Sequence, residues 1–191
     1  LEMLPQLVAV GVDSLKIEGR MKSIFYVGGV VRIYRAALDY LGQLPARAWL
    51  RPELITIPDE FMREIERTGT RGATENFIKD RPGSNEMIYV SSRTVQTYEP
   101  VAVIREAGAM PLVEIRNTVF AGGQIEYMKR SVGVVALEII GMTDEEGREI
   151  AKANPGNRLF LKTEPDLAFG EVNSILRRKK IQPEKSPIKH A

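Results

Sequence analysis

The spacing of apolar residues shifts along this chain from mostly helical to mostly alternating. In the first third it is helical. Leu4, Leu7 and Val8 sit on one face of a short helix that Gly11 ends. Ser14, Lys16 and Glu18 then alternate with Leu15 and Ile17. That is the period of a strand with one apolar face and one charged face. Gly19 breaks the strand, and an amphipathic helix is predicted over residues 24–41. Val27, Val30, Val31, Tyr34, Leu38 and Leu41 form its apolar stripe, with Arg32, Arg35 and Asp39 on the opposite side. Residues 42–52 carry Pro45 and Pro52 and read as a connection. Pro58, Asp59 and Glu60 open another helix, which runs to about Arg67 with Phe61, Ile65 and Met62 inward.

The turn-rich run 80–85, Asp-Arg-Pro-Gly-Ser-Asn, marks a domain boundary. Beyond it the pattern becomes short and alternating. Strands are predicted over residues 98–107, 110–117, 124–129, 132–141 and 158–162. Turns fall at 143–148, where Gly147 suits a positive φ, and at 154–157, Asn-Pro-Gly-Asn. Short, evenly spaced strands argue for an antiparallel barrel or sandwich. From Asn173 few apolar residues remain, and a disordered tail is expected.

Composition narrows the chemistry. In 191 residues there are no cysteines and one histidine, His190. Disulfides, thiolate nucleophiles and Cys-ligated metals are thereby excluded from this chain, and a His-based triad or multi-His metal site is disfavoured. No apolar run approaches the ~20 residues of a membrane-spanning helix. The net charge is +2, so no global basic field demands nucleic acid. The basic excess is local: residues 171–191 hold six Lys/Arg against two Glu. There is no phosphate-binding glycine loop; Gly28-Gly29 falls within a helix and Gly122-Gly123 within a hairpin. The chain begins Leu-Glu-Met without a signal-peptide pattern and reads as a cut end inside a helix.

Helix, glycine, strand, charged loop and helix in succession is the rhythm of a (β/α) barrel or a doubly wound sheet. About one such unit is present, too little to close a parallel sheet. Charged groups at the C-terminal end of a strand lie where α/β proteins commonly place their chemistry. Lys16 and Glu18 can equally be an ordinary surface pair. Lys22, Arg32 and Arg35 suit either a phosphate-facing patch or a solvated helix face.

The block Gly-Val-Asp-Ser-Leu-Lys-Ile-Glu-Gly-Arg-Met-Lys-Ser at 11–23, with Tyr26-Val27 and the run 31–39, closely resembles the U32 peptidase (collagenase-like protease) family. The resemblance extends from about residue 4 to 166. It implies an α+β chain: the end of a catalytic (β/α) barrel plus connecting helices at 1–79, a small antiparallel β-barrel domain at 80–172, and a basic tail at 173–191. That β-barrel is expected to be similar to the second domain of translation elongation factors. Arg71-Gly72-Ala73-Thr74 resembles a family segment near the barrel exit, with Ala73 in place of the usual aromatic residue.

The family's cysteine-containing signature lies upstream of these residues, so the resemblance carries no catalytic residue onto this chain. Several relatives hold an iron–sulfur cluster; this chain supplies no ligand for one. The resemblance implies a C-terminal part of a peptidase, with proteolysis as the historical activity, or alternatively of a protein acting in tRNA or rRNA hydroxylation. A non-catalytic structural or binding domain is the third reading. Expected partners are the N-terminal barrel of the same protein and tRNA or rRNA, at a cytoplasmic address. Lys16, Glu18, Arg20 and Lys22 match the family block at the barrel mouth. They are candidates for holding a polar or anionic substrate, with Arg20 as a bidentate clamp; a structural lock is the competing role. Arg177, Arg178, Lys179 and Lys180 are candidate RNA contacts, as is the interleaved Tyr127-Met128-Lys129-Arg130; a solubilising tail is the alternative for the former.

Overall fold

A computed structural model describes residues 1–69 and 96–180. The linker at 80–85 and the segment 71–74 lie outside them. Helix α1 (Leu4–Ala9) leads to an extended stretch, then to helix α2 (Ile24–Gly42), two short 3-10 turns and helix α3 (Asp59–Arg67). The Ser23 hydroxyl caps α2 by accepting from the Tyr26 N–H at 3.3 Å. Asp59 and Glu60 place negative charge in the first turn of α3, where the helix dipole favours it.

Eight strands follow among the described residues: β1 (Tyr98–Glu106), β2 (Leu112–Ile115), β3 (Val119–Phe120), β4 (Gln124–Met128), β5 (Val134–Asp144), β6 (Lys152–Ala153), β7 (Arg158–Glu164) and β8 (Ile175–Lys179). Six close into an antiparallel barrel in the order β1, β2, β7, β5, β4, β8, while β3 and β6 pair as a small separate sheet. Alternate residues of each strand fill the interior, among them Ile104, Val113, Tyr127, Leu137, Leu161 and Leu176. Gly147 and Gly156 take the positive φ that their turns require, +85° and +89°. A second core joins α1, α2 and α3 through Leu4, Ile33, Ala37, Leu41, Ile57 and Phe61.

Four expectations are corrected. The alternation at residues 14–18 is present, with Leu15 and Ile17 half-buried and Ser14, Lys16 and Glu18 exposed. It forms no sheet, because no strand among the described residues lies alongside to complete a ladder. The buried face of α2 is Phe25, Gly29, Val30, Ile33, Ala37 and Leu41; it shares Val30 and Leu41 with the predicted stripe, Tyr34 and Leu38 pack beside it, and Val31 is 46% exposed. The difference arises because α2 meets two neighbours, the small helical core and the barrel, so one stripe does not describe it. The expected disorder from Asn173 does not hold through Lys179: β8 closes the barrel between β1 and β4, and the β domain extends past residue 172. Its apolar content is low because only Leu176 enters the interior core, the other strand face being covered by charged partners. The two-residue strands β3 and β6 were too short to carry a period.

Candidate functional site

Two charged regions and one groove between helices and barrel are candidates. The first region is the family block. Glu18 accepts the backbone N–H of Arg20 at 3.0 Å, which tightens the loop after the extended stretch. Lys22 Nζ stands 5.1 Å from the Tyr26 ring centroid, a cation–π contact. Lys16, Arg20 and Lys22 form no ion pair among the described residues, so the suggested Lys16–Glu18 surface pair is not made. The four side chains are exposed.

The second region is buried. On β8, Leu176 points into the barrel, so Arg177 points outward. There it meets α2 and α3 and is fully covered, at 0% exposure. Its guanidinium makes a two-pronged contact to Glu64 of α3, both bonds at 2.9 Å, and a third bond to Glu126 of β4 at 2.8 Å. Arg32 of α2 and Arg67 of α3 complete the set around the Glu64 carboxylate. The Tyr98 ring lies 4.5 Å from the Arg177 guanidinium and 5.1 Å from that of Arg67. Burial alone would raise the Glu64 pKa. Hydrogen bonds and charge from Arg177, then Arg32 and Arg67, outweigh it and hold the carboxylate below its ordinary value. Burial likewise opposes the charge on Arg177, but Glu64 and Glu126 raise its pKa overall. For Arg32 burial prevails and the pKa is lowered. A carboxylate clasped by three guanidiniums is a poor proton acceptor. This cluster fastens the helices to the barrel and offers no general base.

Arg32 does more than pair. Its NH1 group donates to the carbonyls of Lys129, Ser131 and Gly133 at 3.0, 3.0 and 3.2 Å, which pins the β4–β5 turn to α2. Gly29, one turn earlier, allows the close approach: a Cβ there would collide with the Thr68 methyl at the end of α3. Reading Arg32 as a possible solvated residue is therefore corrected; its side chain is 8% exposed.

Between α2, the β4–β5 turn and the chain entering β8 lies an open groove of about 330 Å³. Val31, Met128 and Ile175 contribute its apolar surface, and Arg35, Lys129 and Arg130 stand at it as cations. Arg35 pairs with Asp39 on its own helix and Arg130 with Glu171, both in exposed contacts. None of Lys16, Glu18, Arg20 and Lys22 lines this groove.

The basic run in β8 is thus divided. Arg177 is buried in the cluster. Arg178 bonds Glu99 at 2.9 Å and the Thr118 carbonyl at 2.8 Å. Lys179 is exposed, and Lys180 is half-buried with its N–H on the Thr97 carbonyl. Arg177 is withdrawn as an RNA contact, since no phosphate reaches a fully covered guanidinium. Sequence reading missed Glu64, whose only signal was a carboxylate one turn after Phe61 on the inward side of α3. No described group of three or more acidic, histidine or cysteine side chains could hold a metal ion. Among the described residues no helix is long and apolar enough to cross a membrane.

The profile of Peptidase family U32 matches residues 1–88, and that of the Peptidase family U32 C-terminal domain matches residues 96–177. The chain belongs to the U32 family, and its barrel is that family's C-terminal domain. It is 31% identical over 157 residues to tRNA hydroxylation protein P1 of Bacillus subtilis, covering 80% of this chain and 35% of that protein. It is 28% identical over 167 residues to tRNA hydroxylation protein P of Haemophilus influenzae, covering 85% and 34%. A 23S rRNA 5-hydroxycytidine synthase of Escherichia coli is 36% identical over 84 residues, 42% of this chain and 12% of that one. The chain spans about a third of the length of the two tRNA hydroxylation proteins. A crystal structure of the C-terminal domain of a Geobacillus thermoleovorans protein assigned as a U32 peptidase aligns at 19% identity and a TM-score of 0.37, over 42% of this chain and 99% of that one.

Proposed function

We propose that this chain is the RNA-engaging part of a U32 protein that takes part in hydroxylation of tRNA or rRNA. The observation that carries this reading is the similarity to tRNA hydroxylation protein P1. At 80% coverage it must take in residues of both the helical part and the barrel. The chain's own chemistry fits a binding role. Peptide-bond hydrolysis needs an activated nucleophile or water. The chain has no cysteine and a single histidine, and the buried carboxylate of Glu64 is committed to three arginines. Peptidase activity, which the family's name carries, is the second reading, and its catalytic groups would have to lie in another part of the polypeptide.

The residues present do not fit an iron–sulfur cluster, since there is no thiolate to ligate one. A cluster in the complete protein would draw its ligands from elsewhere. In this reading the exposed cations Lys16, Arg20 and Lys22 hold a phosphate or carboxylate of the substrate near the reacting centre, with Glu18 shaping the loop. The protein works in the cytoplasm with its N-terminal barrel and RNA as partners.

The test is nucleoside mass spectrometry of tRNA and rRNA from cells with and without the complete protein. Loss of one hydroxylated nucleoside is the expected result. Unchanged nucleosides together with a lost peptide-cleaving activity would reverse the order of the two readings. In the complete protein Arg20→Ala is expected to weaken substrate binding without moving Tm. An equal loss of both would make Arg20 a lock on the loop instead.

A further inference from the structure

Two features that looked unrelated in the sequence meet in the fold. Arg35 comes from the outer face of α2, and Met128, Lys129 and Arg130 come from the end of β4 and the turn after it. They border one groove of about 330 Å³, within the roughly 300–1,000 Å³ of small-ligand sites, at a junction between structural units where such sites commonly occur. From the RNA reading above, on which this rests, we propose that the groove receives one unpaired nucleotide of an RNA loop, its base on Val31, Met128 and Ile175 and its flanking phosphates on Arg35, Lys129 and Arg130.

Five observations support that occupant. The groove's charged side chains are all cationic, which complements a phosphate backbone. The carboxylates that pair with Arg35 and Arg130 do so in exposed contacts, which hold weakly and can give way to a phosphate. Lys129 has no ion pair among the described residues. Finally, the site is preorganised. Arg32 fixes the carbonyls of Lys129, Ser131 and Gly133, so the turn that presents two of the cations is tied to the helix that presents the third. Asn173, also on the groove wall, has its side-chain oxygen taken by Arg105, which leaves its amide N–H groups as donors to a base edge. An apolar floor beside a basic border gives sequence-tolerant capture of a single-stranded base; a rigid duplex cannot insert a base there.

The experiment is fluorescence anisotropy of the 191-residue chain with a labelled RNA hairpin carrying an unpaired loop, against a blunt RNA duplex of matching composition, over a salt series. The hairpin is expected to bind more tightly. Lys129→Glu with Arg130→Glu should lower hairpin affinity by about tenfold or more at low salt and flatten the log–log salt slope by roughly 1 to 2. Val31→Trp fills the groove and leaves the charge unchanged. It should cost about fivefold or more on the hairpin and little on the duplex. Circular dichroism verifies that each variant is folded. Hairpin binding that survives both variants but is lost with Arg47→Glu and Lys162→Glu, two exposed cations elsewhere, overturns the groove and leaves the RNA reading in place. If the unaltered chain binds neither RNA at low salt, the RNA reading of this chain fails and the groove falls with it.

Discussion

The two basic stretches of this chain look alike on paper and have opposite fates. At 16–22 the cations stay in solvent along an extended stretch, engaging little beyond the Tyr26 ring. At 177–180 the first cation is fully buried, more so than any other charged residue among the described residues, the second is tied to Glu99 and a carbonyl, and only the third is exposed. What separates them is strand pairing. In β8 the ladder sets which side chains leave the barrel, and packed helices then cover one of them. With no ladder partner among the described residues, the block at 16–22 has no such covered face. A run of like charges therefore tells little about function until the register of its backbone is known.

The sharpest way to break the contrast is Glu64→Ala. It leaves Arg32, Arg67 and Arg177 facing one another in a covered site, and the expected loss is about 3–5 kcal/mol, read by urea unfolding. A loss too small to measure would show that the cluster is not what joins helices to barrel. Acid should weaken the same contact. Glu64 has a lowered pKa in the folded state, so its contribution is fully present above the ordinary glutamate value of about 4.3 and fades as pH falls through the lowered folded value. Melting followed downward from pH 5 should show a steeper fall for the unaltered chain than for Glu64→Gln.

Gly29→Ala comes next. The added methyl meets Thr68, and relief requires α2 and α3 to move apart, at about 1–3 kcal/mol. A neutral result in the same unfolding assay would mean the helix ends separate without cost. The smallest effect is expected at the exposed block. Lys16→Ala should leave Tm unchanged and Lys22→Ala should lower it only slightly, since no described ion pair is lost and Lys22 gives up only an exposed contact with the Tyr26 ring. A clear drop in Tm would reveal a structural role for that stretch.

Much of the fold was legible locally. The two long helices, most barrel strands and the turns at Gly147 and Gly156 follow from period and turn chemistry, which act over a few residues. β8 was obscured because Ile175-Leu176-Arg177-Arg178 reads as a charged tail unless its outer face has partners. The groove was illegible for a related reason: Arg35 and Lys129 are distant in sequence, and nothing near either one refers to the other.

By itself the sequence determined the family, the helical first part, the change to short strands, and the absence of any thiol chemistry, because each rests on composition or on neighbours a few positions apart. Only the tertiary structure decided that Arg32 and Arg177 are buried on Glu64, that the chain past residue 172 completes the barrel, and that α2 and the β4–β5 turn share a cationic groove. These are contacts across large sequence separations. A side chain's charge is local information, but whether that charge is solvated, paired or presented depends on what the rest of the chain packs against it.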